Sequence, residues 1–324
     1  MSDVAARAGV ATSTVSRVIS QPDRISPRTR ESVQRAIREL GYRATRPRAG
    51  IGAGPATVGV LVPDITNPYF FDIIRSTQDR LSDAGYLQVL VNTEESATVE
   101  AASLAMLAST SLGAILTASR QQDDVVTATA ADLPLVTINR AVPGVSNVMI
   151  DTASAVEQAL EHLVSLGHQR ICYLKGPSVS WSNGERWRAC VEAGRRLGVE
   201  TVSAGPFAPK TTSGGAAADA MLNTGATAGI AFNDLLAIGM LQRLAARGVA
   251  VPGEVSLVGC DDIFGSDFCN PPLTTLSAPV LEAGRQATAL LLDRAERGTD
   301  APSRSVLLPV HLTIRGSTGP VAGR

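Results

Sequence analysis

Arginine dominates the charge of the first 57 residues, and its guanidinium group is well suited to hydrogen-bonding phosphate oxygens in pairs. This stretch contains ten Arg, no Lys and four acidic residues, a balance of +6, whereas the other 267 residues contain 19 basic and 26 acidic residues. The net charge of −1 therefore conceals a basic head on an acidic body. A basic helical head is the electrostatic footprint of a duplex binder, although a solvated basic face on a small helical bundle is the simpler alternative.

A helix-turn-helix pattern positions these side chains. A short helix over residues 4–8 reaches Gly9, which can adopt positive φ in a tight turn, and a second helix begins at residues 12–14. Ser26 as N-cap and Pro27 at the first helical position mark a third helix. Apolar residues at helical spacing can form one small core: Val4, Ala5, Ala8, Val15, Val18, Ile19, Val33, Ile37 and Leu40.

From residue 58 onwards, short apolar runs alternate with amphipathic stretches. Strands are predicted at 58–62, 86–91, 113–117, 135–139, 148–150, 170–175, 201–205, 228–232 and 255–259, with a late pair near 305–314. Helices are predicted near 70–84, 96–109, 122–131, 152–166, 184–196, 213–223, 234–247 and 279–297. Two such series predict an α/β fold with two doubly wound lobes of parallel sheet, which follow the three-helix head.

The expected domain organisation follows from these patterns. Residues 1–43 form the head, and residues 44–57, rich in Gly, Pro and Arg, form a linker. Residues 58–324 form a two-lobed body, with lobe 1 at about 58–151 plus 279–297 and lobe 2 at about 152–278 plus 298–324.

Polar and aromatic side chains follow many of the predicted strands. They include Asp64, Asn67, Tyr69, Phe70, Ser119, Arg120, Arg140, Ser182, Arg186, Phe207, Asn233, Asp234, Asp261 and Asp262. Because ligands of parallel sheets bind at the carboxyl ends of the strands, we expect a site in the cleft between the lobes. Aromatic rings, amides, carboxylates and guanidinium groups together suit a polyol. Individually, Asp234 and Asp262 could instead be helix N-caps, and Phe70 could be a core residue.

The head resembles a known family. DVAARAGVATSTVSRVIS (3–20) is similar to the DVAxxAGVSxxTVSRVLN signature of the lactose-repressor (LacI/GalR) family of bacterial regulators. The resemblance implies that the second helix enters the major groove, where Thr12, Ser13 and Arg17 read bases; Arg17 can pair bidentately with guanine. It also implies phosphate contacts from Ser16, Arg24, Ser26, Arg28 and Thr29.

In that family the linker forms a hinge helix whose apolar wedge enters the minor groove, and the matching residue here is Ile51. Gly50, Gly52 and Gly54 disfavour a helix by about 1 kcal/mol each relative to Ala, so a plain flexible linker is the alternative.

The body resembles the same family and the related periplasmic sugar-binding proteins, in motifs such as VPDITNPYF, HLVSLGHQRI, AFNDLLAIG and VPGEVSLVGCDD. The resemblance implies an effector pocket lined by Asn67, Tyr69, Phe70, Asn139, Arg140, Arg186, Phe207, Asn233 and Asp261. Asn139 stands where the family usually has Asp. An amide beside Arg140 and Arg186 suggests an effector with an anionic or amide group, or a modified sugar.

Other functional classes receive little support from the sequence. The four Cys lack CxxC spacing and the three His are scattered, so we expect neither a disulfide nor a metal site, and no cofactor. We find no catalytic constellation and therefore expect no enzyme activity. No apolar run is long enough to span a bilayer, and a helix-turn-helix stands where a leader would be expected, which predicts a cytoplasmic protein without a membrane partner.

These patterns together predict a transcriptional regulator, most simply a repressor. We expect a homodimer that binds a near-palindromic double-stranded DNA operator and responds to a small sugar or sugar derivative in the cleft. A sugar-binding transport protein would share the body but not the basic head. A sugar-modifying enzyme fused to such a head is a third possibility without sequence support.

Overall fold

The computed structural model describes residues 2–12, 14, 15, 18, 25–39, 57–298 and 302–321. The chain divides into two compact units, residues 1–56 with 82–86 and residues 57–81 with 87–324.

The head contains the predicted helices around a small apolar core. Its first helix is Ser2–Ala8 and its last is Pro27–Glu39; Thr12, Thr14, Val15 and Val18 between them are also helical. The core comprises Val4, Ala5, Val15, Val18, Val33 and Ala36, which confirms most of the predicted positions. Gly9 takes a φ of +66° in the turn, as expected. Ile19, Leu40 and the side chain of Ile37, also predicted in the core, lie outside what the structure describes.

The first lobe of the body is a six-stranded sheet in which every strand pair is parallel. Its strands are β1 (Thr57–Val62), β2 (Leu87–Asn92), β3 (Gly113–Thr117), β4 (Leu135–Ile138), β5 (Ser146–Ile150) and β11 (Ser305–Leu308). They lie in the order β11-β5-β4-β3-β1-β2. β1, β3, β4 and β5 are almost wholly buried, as a sheet covered by helices on both faces requires.

The second lobe repeats the plan. Its strands are β6 (Arg170–Leu174), β7 (Glu200–Ala204), β8 (Ala228–Ala231), β9 (Ser256–Asp261), β10 (Thr274–Ser277) and β12 (His311–Thr313). They lie in the order β12-β10-β9-β8-β6-β7, and only β12 runs antiparallel to its neighbour. The predicted α/β fold with two doubly wound parallel sheets is therefore confirmed.

Helices connect the strands within three residues of the predicted bounds. They are Tyr69–Asp83, Ala97–Thr110, Asp123–Asp132, Thr152–Ser165, Trp181–Leu197, Gly214–Asn223, Asp234–Ala246 and Val280–Arg297, with a 3-10 turn at Thr211–Ser213. The last long helix packs on β3, β4 and β5 and so belongs to the first lobe, as expected.

Two details of the prediction were wrong. The late strands are not a pair, because β11 joins β5 in the first sheet while β12 joins β10 in the second. Residues 298–324 are therefore not confined to the second lobe, and the chain crosses between lobes a third time at Pro309, which cannot donate a ladder hydrogen bond. β10 was not predicted, since its sequence TTLS carries only one aliphatic residue.

The Gly214–Asn223 and Asp234–Ala246 helices approach closely through two glycines, which yields a stability prediction. A side chain at Gly214 would overlap the backbone of Gly239, whereas one at the neighbouring Gly215 meets nothing within 4 Å. Gly214→Ala should therefore destabilise the body by about 1–3 kcal/mol through overpacking. Gly215→Ala should leave it unchanged or more stable by up to about 1 kcal/mol. Urea unfolding of both variants checks this, and equal effects would disprove the close helix contact.

Candidate functional site

A cavity lies between the lobes of the body at the carboxyl ends of the strands, where the sequence predicted the effector site. Seven of the nine predicted effector-pocket residues line it: Asn67, Tyr69, Phe70, Asn139, Arg186, Asn233 and Asp261. All seven side chains are buried. The topology therefore brings most of the predicted set together from both lobes.

The segment after β1 supplies an aromatic wall. Asn67 opens the Tyr69–Asp83 helix, since its Oδ1 accepts a hydrogen bond from the Tyr69 backbone N at 3.1 Å. The Tyr69 and Phe70 rings meet edge to face, with centroids 5.1 Å apart and planes at 85°. Such rings can pack against the apolar face of a sugar.

Asn139 connects this wall to the neighbouring strands. Its Nδ2 donates to the Tyr69 hydroxyl at 2.6 Å, and its Oδ1 accepts from the Ile150 backbone N at 3.1 Å. Asn139 adopts a φ of +56°, a left-handed conformation that Asn tolerates better than most residues. Both ends of the amide are thus occupied by the protein, so Asn139 positions Tyr69.

The second lobe supplies a buried guanidinium group. Arg186 Nη1 donates to the Phe232 backbone oxygen at 2.6 Å, and the guanidinium carbon lies 5.2 Å from the centroid of the Phe232 ring. Arg186 Nη2 lies 4.0 Å from Asp261 Oδ1. Within the described part of the chain, Arg186 Nε is buried and has no hydrogen-bond partner. The group is thus held in place with donor capacity to spare.

The Asp261 carboxyl lies opposite Arg186 and can accept hydrogen bonds from a ligand. It ends β9 with a strained φ of +124°. Burial raises the pKa of the Asp261 carboxyl well above its usual range, and the nearby Arg186 only partly opposes this. A donor group from a ligand would satisfy this carboxyl, and together Arg186 and Asp261 can bind adjacent hydroxyls.

Asn233 joins two elements of the site. Its Oδ1 accepts from the Leu236 backbone N at 3.0 Å and caps the Asp234–Ala246 helix. Its Nδ2 donates to the Pro209 backbone oxygen at 3.1 Å, which fixes the loop after β7. Asp234, considered a cap from sequence, is instead the first helical residue, and its carboxylate accepts hydrogen bonds from Thr275 Oγ1, Ser266 Oγ and the Ile263 backbone N.

The set assigned to the effector pocket from the sequence left out seven residues that line the cavity, although Arg120 and Ser182 were among those noted after predicted strands. The cavity is also lined by Glu95, Ala118, Arg120, Ser180, Ser182, Pro209 and Phe232. Arg120 and Ser182 follow predicted strands, but the other five lacked a distinctive motif. Phe232 was predicted as the last residue of a strand over 228–232. The strand ends at Ala231, so Phe232 directly follows a strand, like the other predicted site residues.

Arg120 and Glu95, which extend the predicted set, form an ion pair in the cavity lining. Arg120 Nε and Nη2 each lie 2.6 Å from Glu95 Oε2, and Nη1 donates to the Ala118 backbone oxygen at 2.7 Å. The four charged residues that line the cavity are two arginines and two carboxylates, Arg120 and Arg186 with Glu95 and Asp261. The formal charges of these four side chains sum to zero.

Two predicted residues do not line this cavity. Arg140 points to Asp123, with Nη2 2.5 Å from Asp123 Oδ1, and also donates to the Gln121 backbone oxygen. Phe207 lines a neighbouring cavity. The expectation of an anionic or amide-bearing effector loses its main basis, because Arg140 pairs with Asp123 outside the cavity and the Asn139 amide already bonds to the protein through both its oxygen and its nitrogen.

Left-handed backbone is concentrated around the cleft. The non-glycine residues with positive φ in the described chain are Glu94, Glu95, Ala118, Asn139, Asp261 and Asp262. Each lies at, or within three residues of, the carboxyl end of β2, β3, β4 or β9. Strain of this kind often marks functional sites, because it is retained only where the surrounding structure enforces it.

The predicted DNA-contacting residues are only partly described. Thr12 and Arg28 are exposed, and Ser26 Oγ accepts from the Thr29 backbone N at 3.4 Å, which caps the last head helix as predicted. Ser13, Ser16, Arg17, Arg24 and Ile51 lie outside the described residues.

Among the described residues, no group of three or more His, Cys, Asp or Glu is placed to hold a metal ion. His168 is a buried core residue that contacts Thr227, Ser256 and the Gly319 backbone oxygen. In the same part of the chain, every helix is too short or too polar to cross a bilayer.

Comparison with known proteins gives a consistent result. The sequence model of bacterial regulatory proteins of the lacI family matches residues 1–44, and that of a periplasmic binding protein-like domain matches residues 160–318. The chain is 33% identical over 327 residues to the HTH-type transcriptional repressor CytR of Escherichia coli (strain K12), covering 98% of this chain and 96% of that protein. It is 34% identical over 332 residues to the HTH-type transcriptional regulator CelR of Thermobifida fusca, covering 97% and 96%.

Solved structures agree with these matches. The transcriptional regulator CelR in complex with cellobiose has a TM-score of 0.72 and 31% identity, covering 97% of this chain and 98% of that one. The lac repressor dimer bound to operator and the anti-inducer ONPF has a TM-score of 0.74 and 27% identity, covering 98% of each chain.

The Asp234 network predicts a pH dependence of stability. Burial raises the pKa of the Asp234 carboxyl, so the folded protein keeps this proton to a higher pH than the unfolded chain does. Proton binding at Asp234 therefore adds to the free energy of unfolding in full below the unfolded pKa of about 4. This addition is lost as the pH rises through the folded pKa. The free energy of unfolding of the wild type should therefore fall relative to that of Asp234→Asn between about pH 4 and pH 7.

The control is the exposed Asp219, whose pKa is lowered by hydrogen bonds from Arg243 and Arg247. Relative to Asp219→Asn, the stability of the wild type should be constant above about pH 4 and fall below it, because the contribution of a depressed pKa is complete above the unfolded pKa and is lost as the pH falls through the folded pKa. Parallel urea denaturation measures both differences. A difference for Asp234→Asn that does not vary with pH would contradict the assignment.

Proposed function

The chain belongs to the LacI family of bacterial regulatory proteins and is a DNA-binding transcriptional regulator, and we propose that it is a dimeric repressor controlled by a sugar-type effector. The observation that carries the effector proposal is the buried set of Arg186, Asp261 and Asn233 facing the Tyr69 and Phe70 rings. Forked donors, a carboxylate acceptor and aromatic faces suit a neutral polyol. The family consists of transcriptional regulators, so the chain is not an enzyme.

The head is proposed to read DNA through the second helix of its helix-turn-helix. Thr12, Ser13 and Arg17 are the proposed base readers, and Ser16, Arg24, Ser26, Arg28 and Thr29 the proposed phosphate contacts. Ile51 is the proposed minor-groove wedge. A repressor of bacterial genes with this head acts where the chromosome lies, in the cytoplasm.

Effector control is proposed to work through the angle between the two lobes of the body. Two contacts already join the lobes beside the cleft: Lys210 Nζ lies 3.6 Å from Asp64 Oδ2, and Ser182 Oγ lies 3.5 Å from the Asn139 backbone oxygen. A ligand that contacts both lobes favours the closed arrangement by its differential affinity. A coupling of about 1–3 kcal/mol would change operator affinity roughly 5- to 150-fold.

The dimer is proposed to use exposed apolar surface on both lobes. In the second lobe Phe264 and Phe268 are 82% and 65% exposed, and their rings pair with centroids 5.0 Å apart. In the first lobe, Leu87 and Leu90 of the edge strand β2 are exposed. Aromatic residues are enriched at interfaces, and monomers rarely expose such pairs.

The DNA-binding proposal is tested with the full chain and a randomised duplex pool. Selection should yield a near-palindromic site, and sugars that bind the body should change the affinity for it. Arg17→Ala should relax the preference at one base position at a cost of about 1–3 kcal/mol, whereas Arg28→Ala should weaken binding to all sequences alike. Gel-shift titrations on selected and scrambled sites measure both. An unchanged site preference in Arg17→Ala would remove Arg17 from the base readers.

The dimer proposal is tested by substituting both exposed phenylalanines. Phe264→Ser combined with Phe268→Ser should weaken the dimer at least tenfold, because central aromatic residues contribute about 2 kcal/mol or more at interfaces. Val179→Ser is the control, since Val179 is also exposed, at 63%, but lies apart from this pair in the sequence. Analytical ultracentrifugation measures the dimer dissociation constants. Equal constants for the double variant and the control would exclude this face from the dimer.

A further inference from the structure

Residues 316–321 form a strap across the second sheet, at the amino ends of its strands and away from the effector cavity. Ser317 is fully buried, and its Oγ donates to the Leu257 backbone oxygen at 2.6 Å and accepts from the Thr274 backbone N at 2.8 Å. Because β9 begins at Ser256 and β10 at Thr274, the strap holds the starts of both strands.

Two of the three histidines of the chain hold consecutive residues of this strap. His168 Nε2 lies 3.1 Å from the Gly319 backbone oxygen, and His162 Nε2 lies 2.9 Å from Thr318 Oγ1. The His168 ring is 1% exposed, whereas His162, on the Thr152–Ser165 helix, is half-buried. The strap is therefore tied down by side chains of the type that titrates near neutral pH.

The contacts of His168 fit a neutral ring. A backbone oxygen can only accept, so Nε2 carries the hydrogen that points to Gly319. Nδ1 lies 2.9 Å from Thr227 Oγ1 and accepts from that hydroxyl. Ser256 Oγ, 2.9 Å from Nε2, also accepts from the Gly319 backbone N at 3.0 Å. A second ring proton, on Nδ1, would displace the Thr227 hydrogen and place a positive charge where water is excluded.

The surroundings oppose a positive charge on His168. Burial lowers the pKa of its ring, and His162 lowers that pKa further, although the Gly319 backbone oxygen partly opposes this. Burial also lowers the pKa of His162. In the described part of the chain, no carboxylate raises the pKa of either ring. Charged residues on the neighbouring elements contact other partners: Arg170 pairs with Glu200, Arg196 with Glu157 and Glu161, Arg315 with Asp262, and Glu254 accepts from the Ala250 backbone N.

We propose that the strap is a pH-sensitive latch, which stays on the second lobe while His162 and His168 are neutral and opens when they bind protons. Once released, both rings regain the ordinary histidine pKa of about 6.5, so the open form binds protons more strongly than the closed form. The free energy that favours the closed strap is therefore complete above about pH 6.5 and decreases as the pH falls below that value.

Opening of the latch acts on the strand that carries Asp261. The strap bonds to Ser256 and Leu257 at the start of β9, and β9 ends at Asp261 in the effector cavity. Acidification therefore loosens the second lobe from the edge opposite the cavity. The latch does not depend on a ligand, so it holds whether or not a sugar is the effector.

The test measures hydrogen exchange of the strap in the full-length protein by mass spectrometry. Protection of residues 316–321, corrected for the intrinsic exchange rate at each pH, should fall roughly 5- to 25-fold between pH 7 and pH 5. This is the range expected when one histidine gains a proton on opening.

Glutamine variants identify the groups responsible. His168→Gln keeps a side-chain donor for Gly319 but cannot gain a charge, so most of the pH dependence should disappear. His162→Gln should remove a smaller part. His311→Gln is the matched control, because His311 is exposed on β12 and lies outside the strap, and it should retain the pH dependence of the wild type.

Strap protection that is the same at pH 7 and pH 5 in the wild type would overturn the proposal, and so would equal pH dependence in the three variants. If His168→Gln does not fold, NMR of the wild type with 13C-labelled histidine decides. A neutral His168 ring with hydrogen on Nε2 at pH 7 would support the latch, whereas a ring protonated on both nitrogens would contradict it.

Discussion

The cavity between the lobes depends on one buried guanidinium group, that of Arg186. Burying a charge costs several kcal/mol unless hydrogen bonds and an opposite charge offset the loss of water. For Arg186 the offset comes from the Phe232 backbone oxygen, the Phe232 ring and Asp261 at 4.0 Å. The offset is incomplete, since Nε has no partner among the described residues and Asp261 carries an elevated pKa. A polyol that donates to the carboxylate and accepts from the guanidinium completes it.

Gly259 and the buried Asp234 fix the position of Asp261. The Asp234 carboxylate holds the segment after β9 through Ile263 and Ser266, and so fixes the direction in which Asp261 leaves its strand. A side chain at Gly259 would overlap that carboxylate. Asp261, the acid proposed to contact the ligand, ends β9, and it is positioned by Asp234, an acid at the start of the Asp234–Ala246 helix.

Local rules predicted the fold and placed six of the seven cavity residues after strands, whereas Asn139 was assigned only through the family resemblance. Strand-helix alternation determines the sheet type, and parallel sheets place their ligands at the strand ends. Arg140, two residues after β4, does not line the cavity because its guanidinium pairs with Asp123. In the loop after β7, Pro209 lines the effector cavity, whereas Phe207 lines the neighbouring one. Glu95 and Phe232 were missed because their roles depend on Arg120 and Arg186, which are distant in sequence.

The left-handed residues around the cleft have an evolutionary consequence. At Asn139 and Asp262 the backbone conformation admits Gly, Asn or Asp readily and most other residues only with strain, and at Asp261 the φ of +124° favours Gly alone. Few substitutions are therefore tolerated at those positions. Phe232, Pro209 and Ser180 line the same cavity without that restriction. A new ligand preference would therefore arise first at these unconstrained positions, while the strained turns are inherited unchanged and preserve the shape of the cleft across descendants with different ligands.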